Sequence, residues 1–151
     1  MEVIKMASDE KRIILRGRKV IGSIAEGEAL VSKKPLMGWG NVNEKLGFTT
    51  ERNHPLFEVP FKGKVLVFPE PRGSGGFMGY GRTRAYGNHP AAFVYRKGCT
   101  LTIFAAMIAK IPTVTDFDID PLEVIETGDY VIVNGDEGIV EVIKKNKETQ
   151  R

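Results

Sequence analysis

Two short runs, residues 64–68 (KVLVF, apolar from Val65 onward) and 91–95 (AAFVY), are apolar at successive positions. Side chains along a strand point to alternate faces. A strand built from either run is therefore hydrophobic on both faces and has to be buried. Between the two runs lies EPRGSGGFMGYGRTRAYG, in which six glycines (73, 75, 76, 79, 81 and 87) fall within fifteen residues. With 151 residues, 42% hydrophobic and 27% charged, the chain is large and apolar enough to bury such strands. We expect one domain over 1–151, with residues 1–10 a loose polar lead-in.

The rest of the chain is rich in strand patterns. Residues 11–21 (KRIILRGRKVI) alternate β-branched and basic positions and predict a strand or strand pair. Residues 24–33 (IAEGEALVSK) predict another strand, with Gly27 as a bulge. Residues 34–61 hold Pro35, Gly38, Gly40, Gly47, Pro55 and Pro60, and read as a long loop of the length usually kept for function or an interface. Residues 100–110 (TLTIFAAMIAK) are apolar around most of a helical circumference and predict a buried helix with Thr100 near its N-cap. Residues 112–115 suit a short strand. Pro121 opens a single helical turn over 121–126. Residues 129–142 (DYVIVNGDEGIVEV) alternate on either side of a Gly-containing turn, as a β-hairpin does. The order predicts a mixed α/β fold with many strands and few helices, in a mixed sheet or a barrel-like arrangement.

Several classes are excluded. Cys99 is the one cysteine, so this chain alone builds no disulfide framework, iron–sulfur cluster or thiolate zinc site. His54 and His89 lack the spacing of a metal pair on one element. No apolar run reaches ~18 residues, so no membrane helix is expected. The N-terminus has no apolar core of a signal peptide, and a reducing cytoplasm is the expected compartment. Charge is uneven: residues 1–110 carry 18 Lys and Arg against 9 Asp and Glu, whereas residues 111–151 carry 4 against 10. A basic body fits an anionic ligand, a basic partner for the acidic segment, or plain solvated surface.

The sharpest chemical feature is KVLVFPEPRGSGG. A buried strand ends at Phe68 and the run from Arg72 to Gly76 follows at its carboxyl end, the edge where α/β sheets bind ligands. Glycines let successive N–H groups converge on an anion. Ser74 lies between two of them, and Arg72 offers a planar fork for a carboxylate or phosphate. Arg82 and Arg84 follow. A plain surface turn has the same composition. The spacing matches neither a Walker loop nor a dinucleotide fingerprint. Trp39, between Gly38 and Gly40, suits a lid or interface anchor as well as a plug at the core edge. Cys99 stands before an apolar helix, as an activated thiol or as a small buried residue. Asp116, Asp118 and Asp120 alternate but lack the pattern of a calcium loop, which favours solvated or N-capping carboxylates.

Taken in order, AEGEALVSKKPL with GWG, GKVLVFP, RGS, GNHPAAFVY, a helix ending in AKIPTV, and TGDYVIVNGDEGIVEV resemble the aconitase X swivel-domain family over about residues 20–143. That family includes small subunits of phosphomevalonate dehydratase-like hydro-lyases. The resemblance implies the swivelling β/β/α domain of the aconitase superfamily. It also implies a two-subunit hydro-lyase whose large subunit holds an iron–sulfur cluster through its own cysteines, this chain alone binding no cofactor. The implied substrate is an anionic hydroxy-carboxylate, most directly (R)-5-phosphomevalonate, dehydrated to the anhydromevalonate phosphate. The family's catalytic serine corresponds to Ser74, with Arg72, Gly73 and Gly75 beside the substrate. A serine base is an alkoxide that needs oriented amides and a nearby cation; Arg72 either supplies that cation or holds the substrate carboxylate. The sequence departs from the family after the serine, where GGFMGYGRTRAYG replaces small hydroxyl residues and an apolar helix. That departure leaves open a related hydro-lyase for another acid.

Two further readings stand beside this one. A non-catalytic module would take an anionic metabolite or RNA, although the aromatic residues form no stacking platform among basic ones. A self-contained serine hydrolase lacks a placed histidine.

Overall fold

A computed structural model describes residues 1–5, 10–38, 41–72, 78–98 and 100–145. In chain order the strands are β1 (Glu2–Lys5), β2 (Lys11–Arg16), β3 (Arg18–Ile21), β4 (Ile24–Val31), β5 (Leu36–Met37), β6 (Val42–Asn43), β7 (Phe48–Thr49), β8 (Val65–Phe68), β9 (Pro71–Arg72), β10 (Ala92–Tyr95), β11 (Thr113–Thr115), β12 (Tyr130–Asn134) and β13 (Ile139–Ile143). The α-helices are α1 (Gly79–Arg82), which runs into a 3-10 turn at Thr83–Tyr86, α2 (Thr100–Ala109) and α3 (Pro121–Val124).

Nine strands form one sheet in the order β1-β2-β13-β12-β4-β8-β10-β11-β3. Its centre, β4-β8-β10-β11, is parallel, and the strands on either side are antiparallel. The two apolar runs supply the central pair, with Val65 opposite Ala92 and Phe68 opposite Tyr95. Alternation splits them between two cores. Val65, Val67, Ala92 and Val94 join Leu15, Val114, Val131, Val133, Val140 and Val142 in a core of small aliphatic side chains inside the curve of the sheet. Leu66, Phe68, Phe93 and Tyr95 face the other way, into a second core with Leu36, Leu56, Phe61, Tyr80 and Ile111. The sequence pattern is therefore two interleaved period-2 patterns, one for each core.

The sheet curls back on itself. Only Gly17 separates β2 from β3, yet β3 is the last strand of the ladder and β2 is the second from its other end. Gly17 donates its N–H to Gly138 O at 2.8 Å. A Cβ at Gly17 would lie 2.7 Å from the Thr115 carbonyl oxygen, so the corner admits glycine alone without movement. Of the two arrangements expected from the sequence, the structure shows the mixed sheet, bent at this corner where β2 passes directly into β3.

Several expectations are refined. The polar start of the chain is a strand, β1, paired with β2 from Glu2↔Ile14 to Lys5↔Lys11. Gly27 pairs in register with Val131 and makes no bulge. Its constraint is a close approach, because a Cβ there would run into the Gly63 carbonyl oxygen. α2 does span the predicted segment, but it is not buried all round: Phe104 and Met107 are more than half exposed, while Ala106 is buried. The long loop holds three short strands: β6 and β7 pair antiparallel, and β5 pairs with β9. The alternating aspartates are spent locally. Asp116 pairs with Arg18 at 2.7 Å, and Asp118 accepts from Arg16 N at 3.2 Å. Asp120 caps α3 by accepting from Leu122 N at 3.0 Å.

One buried charge locks the hairpin to α3. Asp129 is fully buried and accepts from Glu126 N (2.8 Å), Lys145 N (2.8 Å) and Lys144 Nζ (2.6 Å). Lys144 Nζ also donates to Val124 O at 2.7 Å. Lys144→Met leaves this carboxylate buried without its counter-charge and is expected to lower stability by about 3 kcal/mol in urea unfolding. Gly27→Ala forces two backbones apart and is expected to lose about 1–3 kcal/mol in the same assay. An unchanged midpoint for either variant contradicts the packing described here.

Candidate active site

The parallel strands β4, β8, β10 and β11 end at Val31, Phe68, Tyr95 and Thr115, which define one edge of the sheet. Pro69 and Glu70 carry the chain from β8 into β9, so the Gly-rich segment leaves from this carboxyl edge as the sequence predicts. Arg72, the last residue of β9, is exposed, and its nearest carboxylate is Glu70 at 3.5 Å. At that distance and exposure the pair is weak, and a planar guanidinium at this edge suits a carboxylate or phosphate. Gly73, Ser74 and Gly75 lie outside the described residues, as do Trp39 and Cys99.

What holds the ends of that segment is clear. β5 and β9 run parallel, with Leu36 opposite Pro71 and Met37 opposite Arg72. Gly38 N donates to Arg72 O at 3.3 Å. Downstream, α1 brings the chain back against the same region: Tyr80, only 1% exposed, donates its hydroxyl to Met37 O at 3.3 Å. Its ring packs against Phe61 (centroids 5.5 Å apart) and edge-on to Phe93 (6.1 Å). Burial raises the Tyr80 phenol well above its ordinary value; a hydrogen bond with Thr49 opposes this and the charge of Glu51 adds to it. The hydroxyl therefore stays protonated and donates.

The other candidates separate from this edge. Arg82 pairs with Glu44 at 3.1 Å, and Arg84 donates to Lys110 O at 3.1 Å. Lys110 precedes β11, so Arg84 reaches the amino edge of the sheet, opposite the segment that carries Ser74. His89 lies before β10 on that same amino edge. The structure does hold a serine–histidine contact that the sequence does not reveal: Ser32 Oγ and His54 Nε2 are 3.1 Å apart, both residues buried. His54 Nδ1 accepts from Leu56 N at 3.0 Å, so the ring proton is on Nε2, facing Ser32 and Pro35 O. Ser32 Oγ in turn donates to Lys34 O at 2.7 Å. All the polar atoms of this pair are committed to shaping a turn. A separate cleft of about 480 Å³ beside α3 is lined by Lys33, Glu123 and Glu126 among others, and Arg72 is not in its walls.

The described residues include no group of three or more His, Cys, Asp or Glu placed to hold a metal ion, and the sequence has one cysteine. These residues do not fit an iron–sulfur cluster as ligands. None of the helices described is long and apolar enough to cross a membrane.

Comparison with known proteins agrees with the fold. The aconitase X swivel domain matches residues 14–142, and the chain belongs to this family. It is similar to the phosphomevalonate dehydratase small subunit of Thermococcus gammatolerans, at 40% identity over 131 residues, covering 85% of this chain and 97% of that one. The corresponding protein of Methanosarcina mazei is 36% identical over 137 residues, covering 89% and 94%. The crystal structure of Thermococcus kodakaraensis aconitase X in its holo form superposes with a TM-score of 0.80 at 32% identity, covering 87% of this chain and 99% of that one. The solution structure of a UPF0107 protein gives the same TM-score at 33% identity, covering 87% and 100%.

His89 yields a prediction for the amino edge. Burial, then the charges of Arg84 and Lys62, hold its imidazole below the ordinary 6.5. The unfolded chain then binds this proton more readily, so the stability linked to His89 is complete above 6.5 and declines as the pH falls below it. An NMR titration is expected to show a midpoint below 6.5, raised but not restored by Arg84→Gln because burial is the larger cause. A midpoint at or above 6.5 contradicts this arrangement.

Proposed function

We propose that this chain is the small subunit of a two-subunit hydro-lyase that dehydrates (R)-5-phosphomevalonate, with Ser74 as the proton acceptor. The observation that carries the reading is the match, along most of both chains, to relatives named phosphomevalonate dehydratase small subunit. The geometry supports it: an exposed Arg72 at the carboxyl edge, leading into the Gly-Ser-Gly segment, with both flanks of that segment anchored.

The name of those relatives supports a large partner subunit for this chain as well. The proposal assigns the iron–sulfur cluster to that partner, because a chain with one cysteine cannot ligate it. What this chain contributes is the base and the anion site. The Ser74 alkoxide takes the proton from the carbon next to the carboxylate, and the electron pair of that C–H bond becomes the new double bond. The hydroxide on the neighbouring carbon departs on the partner's side and takes up a proton from solvent to leave as water, and the Ser74 hydroxyl returns its proton to solvent to restore the alkoxide. Arg72 and the amides of the glycine segment hold negative charge, on the alkoxide before the transfer or on the substrate carboxylate. Each half-site is incomplete alone.

The test is Ser74→Ala in the complex reassembled with its large subunit. Turnover of (R)-5-phosphomevalonate is expected to fall by at least about 10³-fold, with co-elution of the two subunits unchanged. Substantial turnover in that variant removes Ser74 from the chemistry. A wild-type complex that dehydrates a different hydroxy-acid and leaves phosphomevalonate untouched removes the substrate assignment.

A further inference from the structure

α2 carries an apolar face that this chain leaves uncovered. The helix joins the carboxyl end of β10 to the amino end of β11 and lies beside α1 and β3. Its sequence, TLTIFAAMIA, has no charged residue. A helix that covers a sheet ordinarily turns charged side chains to water. Here Thr100, Phe104 and Met107, spaced four and three apart, form one exposed stripe. Phe104 and Met107 are 54% and 53% exposed, whereas Ala106 is fully buried. At the far end of the helix, Arg84 reaches the Lys110 carbonyl from a turn that ends in Tyr86, itself 55% exposed. Single apolar residues are ordinary on a protein surface. Three large ones on two adjoining elements, with no charge along the helix, mark an interaction surface.

Charge narrows the kind of surface that fits. From Pro71 to Thr115 the chain has six Lys and Arg and no Asp or Glu. Lys97 before the helix and Lys110 after it are both exposed. A twofold dimer of this chain through α2 would set these cations against one another. A different polypeptide, apolar at the centre of its patch and acidic at the rim, complements both features. The position of the helix points the same way. Arg96 N and Lys97 N donate to Phe68 O (3.3 Å) and Pro69 O (3.1 Å), so the turn into α2 sits on the carboxyl edge that leads to Arg72. Phe104 lies only about 6 Å further along the helix than Thr100. A protein that completes the chemistry at that edge therefore reaches the stripe by a short extension of the same contact. We propose that the α2 face centred on Phe104 and Met107 is the surface on which the large subunit docks, through an apolar patch rimmed by acidic residues. The proposal rests on the reading of this chain as a small subunit.

Hydroxyl-radical footprinting of the wild-type chain, alone and with the large subunit, needs no variant. Phe104 and Met107 are expected to be modified readily in the isolated chain and at least about fivefold more slowly in the complex, as at the dry centre of an interface. Phe104→Glu is expected to weaken binding of the large subunit by at least about 30-fold, the scale of a central interface residue. With the large subunit in excess, its kcat is expected to stay within about twofold of wild type, which separates docking from catalysis. Lys110→Glu is expected to slow association and to flatten its salt dependence. Absence of protection at both residues overturns the proposal, and so does unchanged affinity in a folded Phe104→Glu. An isolated chain that is dimeric, and that Phe104→Glu makes monomeric with no loss of affinity for the large subunit, overturns it in favour of a second copy. If the wild-type chain binds no large subunit, the small-subunit reading falls with it; if it binds but leaves α2 exposed, only the docking face falls.

Discussion

The fold depends on burying β8 and β10 on both faces. Their alternate side chains belong to different cores, valines inside the curled sheet and leucine with aromatic rings outside it. The inner core needs the sheet to bend round it, which Gly17 allows by passing the chain from β2 to β3 at a corner with no room for a side chain. The outer core needs a second layer. Residues between β4 and β8, together with α1, supply it, which explains why a stretch with so many glycines and prolines still contributes Leu36, Leu56 and Phe61 to a packed interior. Each such side chain is worth about 1.5–3 kcal/mol on burial.

That second layer also builds the candidate site. Leu36 is buried in the outer core, and the neighbouring residue Met37 faces Arg72 across the β5–β9 pair. Tyr80 belongs to the same core and bonds to the Met37 carbonyl. The packing that covers the sheet therefore fixes the two ends of the segment containing Ser74. In the proposed reaction this matters because an alkoxide base has to meet a substrate carbon within a narrow range of distance, while the other half of the chemistry comes from a separate subunit.

The sequence is legible where physics writes a local pattern. Uninterrupted apolar runs mark β8 and β10, strict alternation marks β12 and β13, and Asp120 before Pro121 marks the start of α3. The family resemblance likewise rests on blocks whose order survives in the chain. What could not be read depends on partners distant in sequence. Gly27 looks like a bulge until the Gly63 carbonyl is placed over it. α2 looks buried because it is apolar all round, yet Phe104 and Met107 face outward. The β5–β9 pair consists of two-residue strands far apart in the chain, and no periodicity reveals it. Tyr80, one aromatic in a glycine-rich run, gives no sign in the sequence that its hydroxyl reaches β5. Arg84 sits near Ser74 in sequence and is drawn to the opposite edge of the sheet by the Lys110 carbonyl.

The most direct measurement is a structure of the two-subunit complex with the phosphorylated substrate, or a stable analogue, bound. The account predicts the Ser74 hydroxyl oxygen about 3–3.5 Å from the carbon that loses its proton, with glycine amides or the Arg72 guanidinium turned toward it. A Ser74 side chain directed away from the ligand, with some other basic group at that carbon, would contradict it.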